Sequence, residues 1–146
     1  MNLIEKLEER AEDLAHLFRS VDRLICVYLF GSQLSGASRL SDIDLGLLFE
    51  RSTSRTELFM RQLELIDAIS AILASDKVDI VILNHAPPLL CYNIIKGVVI
   101  YCHDEEERVQ FETRVIDEYL DLEKIYSEYE KALFETIKIW GAEDTV

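Results

Sequence analysis

Residues 24–30, Leu-Ile-Cys-Val-Tyr-Leu-Phe, are apolar without interruption and stop at Gly31-Ser32. A run this short, rich in β-branched and aromatic side chains, predicts a buried strand. A buried strand requires sheet partners and a covering layer, and the chain supplies candidates for both.

Upstream, Leu3, Leu7, Ala11, Leu14 and Phe18 recur at helical spacing, predicting one amphipathic helix over residues 3–19. Residues 33–41 are rich in Ser, Gly and Ala and suit a loop or a short helix; a second strand is expected from Asp42 to Phe49. Ser54 followed by Glu57 is a capping box, opening a helix through Leu58, Leu65, Ile69 and Leu73. Asp76 and Lys77 turn the chain into a third strand, Val78–Leu83. Pro87-Pro88 start a further helix and Gly97 ends it, before a fourth strand over Val98–Tyr101. Asp104 and Glu107 form another cap, and from there the pattern stays helical almost to Trp140. Along that helix Phe111, Val115, Tyr119, Leu122, Tyr126, Tyr129, Leu133, Ile137 and Trp140 make one apolar stripe, expected mainly to pack in the core. The order of elements predicts an α+β (α/β-like) fold, a small sheet of about four strands covered by helices. We expect a single domain over residues 1–146 with a helical extension from about residue 104. The first two strands pair either parallel or antiparallel.

The 146 residues are 49% hydrophobic, enough to fill one core, and carry a formal net charge of −13. That charge argues against direct, sequence-independent nucleic-acid binding, which needs clustered Lys and Arg. It also means that a polyphosphate is repelled unless a cation lies between, and that a basic protein partner would be attracted. Cys26, Cys91 and Cys102 show no paired motif spacing, which suits reduced thiols better than disulfides or structural zinc. The N-terminal residues turn charged at once and no apolar run is long enough to span a bilayer. A cytoplasmic protein with no membrane partner is expected.

Within this frame one constellation carries chemistry. Side chains alternate across a strand, so Asp42 and Asp44 share a face, roughly 7 Å apart along it. Two carboxylates so placed repel unless solvated or bound to a cation, and magnesium is commonly held by one or two carboxylates plus phosphate oxygens. An EF-hand does not fit, because Leu45 stands where a third oxygen ligand is needed. Gly31 lets backbone approach a phosphate closely, and Ser32 offers its N–H and hydroxyl. The sequence has no Gly-Lys-Ser/Thr, so this is not a Walker A loop. Asp79 interrupts an apolar strand, and a carboxylate there is costly unless it faces water, a polar site or a metal.

Gly31-Ser32, nine intervening residues and Asp42-Ile43-Asp44, with Asp79 on a later strand, resemble the nucleotidyltransferase superfamily signature. The stretch from Phe30 to Gly36 and on through Ser41 to Leu45 is similar to the minimal nucleotidyltransferase (MNT) branch. Pro87-Pro88-Leu89-Leu90, Gly97 to Tyr101, Phe111-Glu112 and Tyr119-Leu120-Asp121 resemble antitoxin members of that branch. The likeness runs from about Leu24 to about Tyr129.

The resemblance implies a DNA polymerase beta-like fold and an antitoxin paired with a HEPN-type toxin, an RNA-cleaving enzyme. It implies transfer of AMP from ATP to a tyrosine hydroxyl of that toxin, with pyrophosphate released. Carried to matching positions, Asp42 and Asp44 hold Mg2+, Gly31 and Ser32 bind the triphosphate, and Asp79 completes the metal site or accepts the proton. Many relatives carry an Arg soon after the Gly-Ser pair, whereas this chain has Gln33-Leu34-Ser35, and neither Arg39 nor Arg51 fits by spacing. Two alternatives stand beside this: a small-molecule (antibiotic-type) nucleotidyltransferase, and an antitoxin that acts by binding alone. The first usually needs a further substrate domain; the second leaves the Gly-Ser, Asp-x-Asp and Asp79 set without a use.

Overall fold

The computed structural model describes residues 3–31 and 43–143. Two short helices, α1 (Leu3–Glu9) and α2 (Ala11–Ser20), precede strand β1 (Leu24–Phe30). The single helix expected over residues 3–19 is thus broken at Arg10, whose φ of −103° and ψ of 12° leave the helical region. Strand β2 (Ile43–Phe49), helix α3 (Arg55–Leu73) and strand β3 (Val78–Ile82) follow. The third strand ends one residue earlier than expected, because Leu83 enters a 3-10 turn over Leu83–His85. Helix α4 (Pro88–Ile95), strand β4 (Val98–Cys102) and helix α5 (Glu105–Glu143) are the last of the described elements.

The sheet order is β3-β2-β1-β4. β1 pairs antiparallel with both β2 and β4, which resolves the open orientation of the first two strands. β2 and β3 are parallel, and the crossover that a parallel pair demands is α3. Ser54 caps α3 as its sequence predicts, its hydroxyl accepting from the Glu57 N–H at 3.2 Å. Leu58, Leu65, Ile69 and Leu73 are all buried on that helix.

Alternation along the strands feeds two cores. Val27 and Leu29 of β1, and Ile43, Leu45, Leu47 and Phe49 of β2, pack with α2 and α3 on one face. Cys26, Tyr28 and Leu48 pack on the other face with Cys91 and Ile94 of α4 and Phe111 and Val115 of α5. This division settles the register of β2. A slip of one residue would turn Asp44 into the first core and take Leu45 and Leu47, now 1% and 0% exposed, out of it. Gly46 also faces the second core, where α4 sits so close that a Cβ would lie 2.5 Å from Ile94 Cγ2.

The apolar stripe of α5 divides in two. Phe111 and Val115 are buried and Tyr119 and Leu122 half-buried, but Tyr126, Tyr129, Leu133, Ile137 and Trp140 are exposed. The expectation of core packing therefore fails for the distal half, because α5 is longer than the face it covers. Among the described residues no helix is long and apolar enough to cross a membrane.

Candidate functional site

The carboxylates meet where β1 ends and β2 and β3 begin. In the parallel β2–β3 ladder Asp44 is the Cα partner of Asp79, and in the antiparallel β1–β2 ladder Phe30 is the partner of Asp44. Neighbouring strands lie roughly 4.8 Å apart, so the two acids stand side by side. They also share a face: Ile43, Leu45, Val78 and Ile80 belong to the first core, which turns Asp44 and Asp79 to the opposite side. The Ile43 N–H donates to the Lys77 carbonyl at 2.7 Å and ties the starts of both strands together.

Gly31 closes the site from β1. Its φ is +96°, and a Cβ there would lie 2.6 Å from Asp44 Oδ2. Glycine is required twice over, for the left-handed backbone and for the approach to the carboxylate. The antiparallel hairpin thus brings the end of the first strand onto the acid of the second, a contact that spacing alone does not reveal.

Asp44 is half-buried and Asp79 exposed. The burial cost expected for Asp79 does not arise, because β3 is an edge strand and its side chain reaches solvent. Ser32 and Asp42 lie outside the described residues. Among the described residues no group of three His, Cys, Asp or Glu is arranged to hold a metal. Two adjacent oxygen donors on one face, with a side-chain-free backbone against one of them, nonetheless suit a hard cation that keeps open positions for phosphate oxygens.

Beneath α5, burial shifts several titratable groups. Burial foremost, then the nearby Cys26 and Glu112, push the Tyr28 hydroxyl far above its ordinary value. That hydroxyl donates to Glu112 Oε1 at 2.8 Å, and Arg108 Nη1 donates to the same oxygen at 2.9 Å. Burial likewise pushes the Cys26 thiol up to about 12 and the Cys91 thiol to about 11. These groups are protonated at neutral pH and anchor the first half of α5.

A cleft of about 500 Å³ opens at the other end of the second face, near Leu48, Thr53, Cys91 and Phe111. Leu48 lies four residues along β2 from Asp44, roughly 13 Å of strand, so this cleft is not the carboxylate site. Sequence periodicity could not have found it, since it forms between the 3-10 turn and α5.

Residues 12–106 match the family model described as polymerase beta, nucleotidyltransferase. A search of curated proteins by sequence found no match. Among solved structures, the chain is similar to one in the complex of tri-AMPylated Shewanella oneidensis HEPN toxin with MNT antitoxin. That match has a TM-score of 0.64 and 22% identity, covering 87% of this chain and 98% of that one. A chain of the MntA–HepT toxin–antitoxin complex matches with a TM-score of 0.63 and 22% identity, over 87% of this chain and 98% of that one. A chain of a toxin–antitoxin structure with AMP-PNP matches with a TM-score of 0.62 and 23% identity, over 89% and 97%. At these identities the likeness is one of fold.

Proposed function

The chain belongs to the polymerase beta nucleotidyltransferase family, and on that premise we propose that it is an antitoxin acting on a cognate HEPN-type RNase toxin. The reaction is transfer of AMP from ATP to a tyrosine hydroxyl of that toxin. The observation that carries the assignment is the in-register pair Asp44 and Asp79 with Gly31 against Asp44. The solved structures of similar fold include an AMPylated toxin and an ATP analogue, which supports both substrates.

Asp44, Asp79 and Asp42 are the residues that would hold Mg2+. When bound, the ion supplies positive charge against the triphosphate and the developing negative charge of an in-line displacement. The protein's own part is positional. Gly31 leaves room for phosphate oxygens beside Asp44, and Ser32 offers hydrogen bonds to them. The acceptor oxygen forms a bond to the α-phosphorus as the bond to the bridging oxygen breaks, and pyrophosphate leaves. The tyrosine proton passes to Asp79, whose exposed position on the edge strand gives an incoming hydroxyl access, or Asp79 serves as a further ligand.

Incubation with magnesium, the toxin encoded beside the chain and ATP labelled at either the α- or the γ-phosphate tests this. Label from the α position should join the toxin and label from the γ position should not. Absence of α-label from the toxin with ATP, GTP, CTP and UTP alike would refute nucleotidyl transfer to it.

A further inference from the structure

Helix α5 spans 39 residues, roughly 58 Å at the α-helical rise. Its first half is held to the body. Phe111 and Val115 enter the second core, Glu112 accepts from Tyr28, and Tyr119 stacks on Tyr92 of α4 with ring centroids 3.7 Å apart. From Glu123 onward every residue described for exposure is exposed.

The direction of this free half follows from the elements beneath it. β4 leaves the carboxylate end of the sheet, since Val98 pairs with Leu29, the residue before Phe30, whose partner is Asp44. At the far end β4 hands over to α5, which returns across the second face. α4 runs towards the carboxylate end and stops at Ile95, just past Tyr92. Ile94, two residues past Tyr92, sits against Gly46, so the Tyr92–Tyr119 stack lies about one helical turn short of the row of Asp44 and Asp79. The turns beyond Leu122, roughly 30 Å of helix, overhang that end of the sheet, on the face to which both acids turn.

The overhang has an ordered surface. Tyr126, Tyr129, Leu133, Ile137 and Trp140 step by three or four residues, and each is 43% exposed or more. Helices without tertiary packing are marginal in water, and contiguous apolar patches of this kind mark contact sites. Charge selects the occupant. Lys124, Lys131 and Lys138 recur every seven residues on the line opposite the stripe, whereas Glu123 and Glu130 border it. A second copy would set these acidic borders against each other, in a chain of net charge −13. A partner with an apolar groove and a basic rim meets complementary charge instead, and an enzyme that grips RNA carries clustered Lys and Arg.

We propose that the distal half of α5 is the docking surface for the basic, RNA-cleaving toxin, holding its acceptor hydroxyl beside Asp44 and Asp79. This rests on the function proposed above. The test compares the full chain with its Leu133→Glu/Ile137→Glu and Tyr129→Ala/Trp140→Ala variants, and with Lys124→Glu/Lys131→Glu on the opposite line. Toxin binding is read by calorimetry, AMP transfer by initial rates, folding by circular dichroism and oligomeric state by light scattering. Both stripe variants should fold and weaken toxin binding roughly tenfold or more, as central apolar anchors do. Their loss in transfer should fall on the KM for toxin, with kcat kept. The lysine variant should bind within about twofold of the parent, as rim charges allow.

Toxin binding unchanged in both folded stripe variants would overturn the proposal. So would a parent chain that is dimeric alone and loses that dimer, but not toxin binding, in those variants. A parent that binds toxin through the stripe yet transfers no AMP would uphold the docking surface and refute the transfer.

Discussion

β2 and β3 share two ends that differ in what their side chains are asked to do. At the far end, Asn84 after β3 receives the Phe49 N–H at 2.9 Å and donates to the Phe49 carbonyl at 2.8 Å. One amide side chain thereby satisfies both backbone groups at the close of β2, and Leu83 beside it is buried. At the near end, Asp44 and Asp79 stand in register with a glycine against one of them. Like charges paired across a ladder oppose folding. The same two strands are tied by an amide at one end and set two acids side by side at the other, the end from which we propose that transfer occurs.

That contrast breaks if the near end proves structural. Asp44→Asn should lower AMP transfer roughly a hundredfold or more, as loss of a main electrostatic element does, with the fold kept. A cooperative loss of structure in that variant would show the acid to be a packing residue. Asp79→Asn distinguishes its two roles. A proton acceptor's loss should flatten the acidic limb of the rate–pH profile, whereas a ligand's loss should weaken manganese binding measured by paramagnetic resonance.

Gly31→Ala should act at the same end as Asp44→Asn. The added methyl meets the Asp44 carboxylate and the backbone is held at a positive φ, so roughly tenfold slower transfer is expected, with about 1 kcal/mol lost in stability. Asn84→Ala at the other end should do the reverse. Two hydrogen bonds go, costing about 2 kcal/mol by urea titration, and transfer by the folded fraction should stay within about twofold of the parent. An equal loss of activity in Asn84→Ala would mean that the two ends are coupled.

The smallest effect belongs to the buried thiols. Cys26 is held at about 12 in the folded chain by burial, against about 8.5 when unfolded. Below that lower value both states keep the proton and stability does not vary with this group. Above it the unfolded state releases the proton first, so stability should fall as pH rises towards 12, and Cys26→Ala should lessen that slope.

Much of this was legible in the residues. The run from Leu24 to Phe30, the Ser54 cap with Leu58, Leu65, Ile69 and Leu73, and the Pro88 and Gly97 punctuation of α4 are local signals, and the structure has each where it was expected. Strand order is not local. Whether Asp79 is buried or exposed depends on β3 lying at an edge, which only the assembled sheet decides. The contact of Gly31 with Asp44 depends on the antiparallel pairing of β1 with β2, which spacing left open. The stripe of α5 shows why periodicity has a limit: Tyr129 and Val115 carry the same signal, yet one is 65% exposed and the other 3%. A spacing of three and four residues says that a face wants cover and not which molecule supplies it.

The most direct test of nucleotidyl transfer from the carboxylate end is the intact mass of the toxin after incubation with ATP, magnesium and the chain. The parent should add one or more adenylyl groups to the toxin, and Asp42→Asn/Asp44→Asn, equally folded, should add none. An unmodified toxin with the parent, or equal modification by the double variant, would rule out nucleotidyl transfer from the carboxylate end.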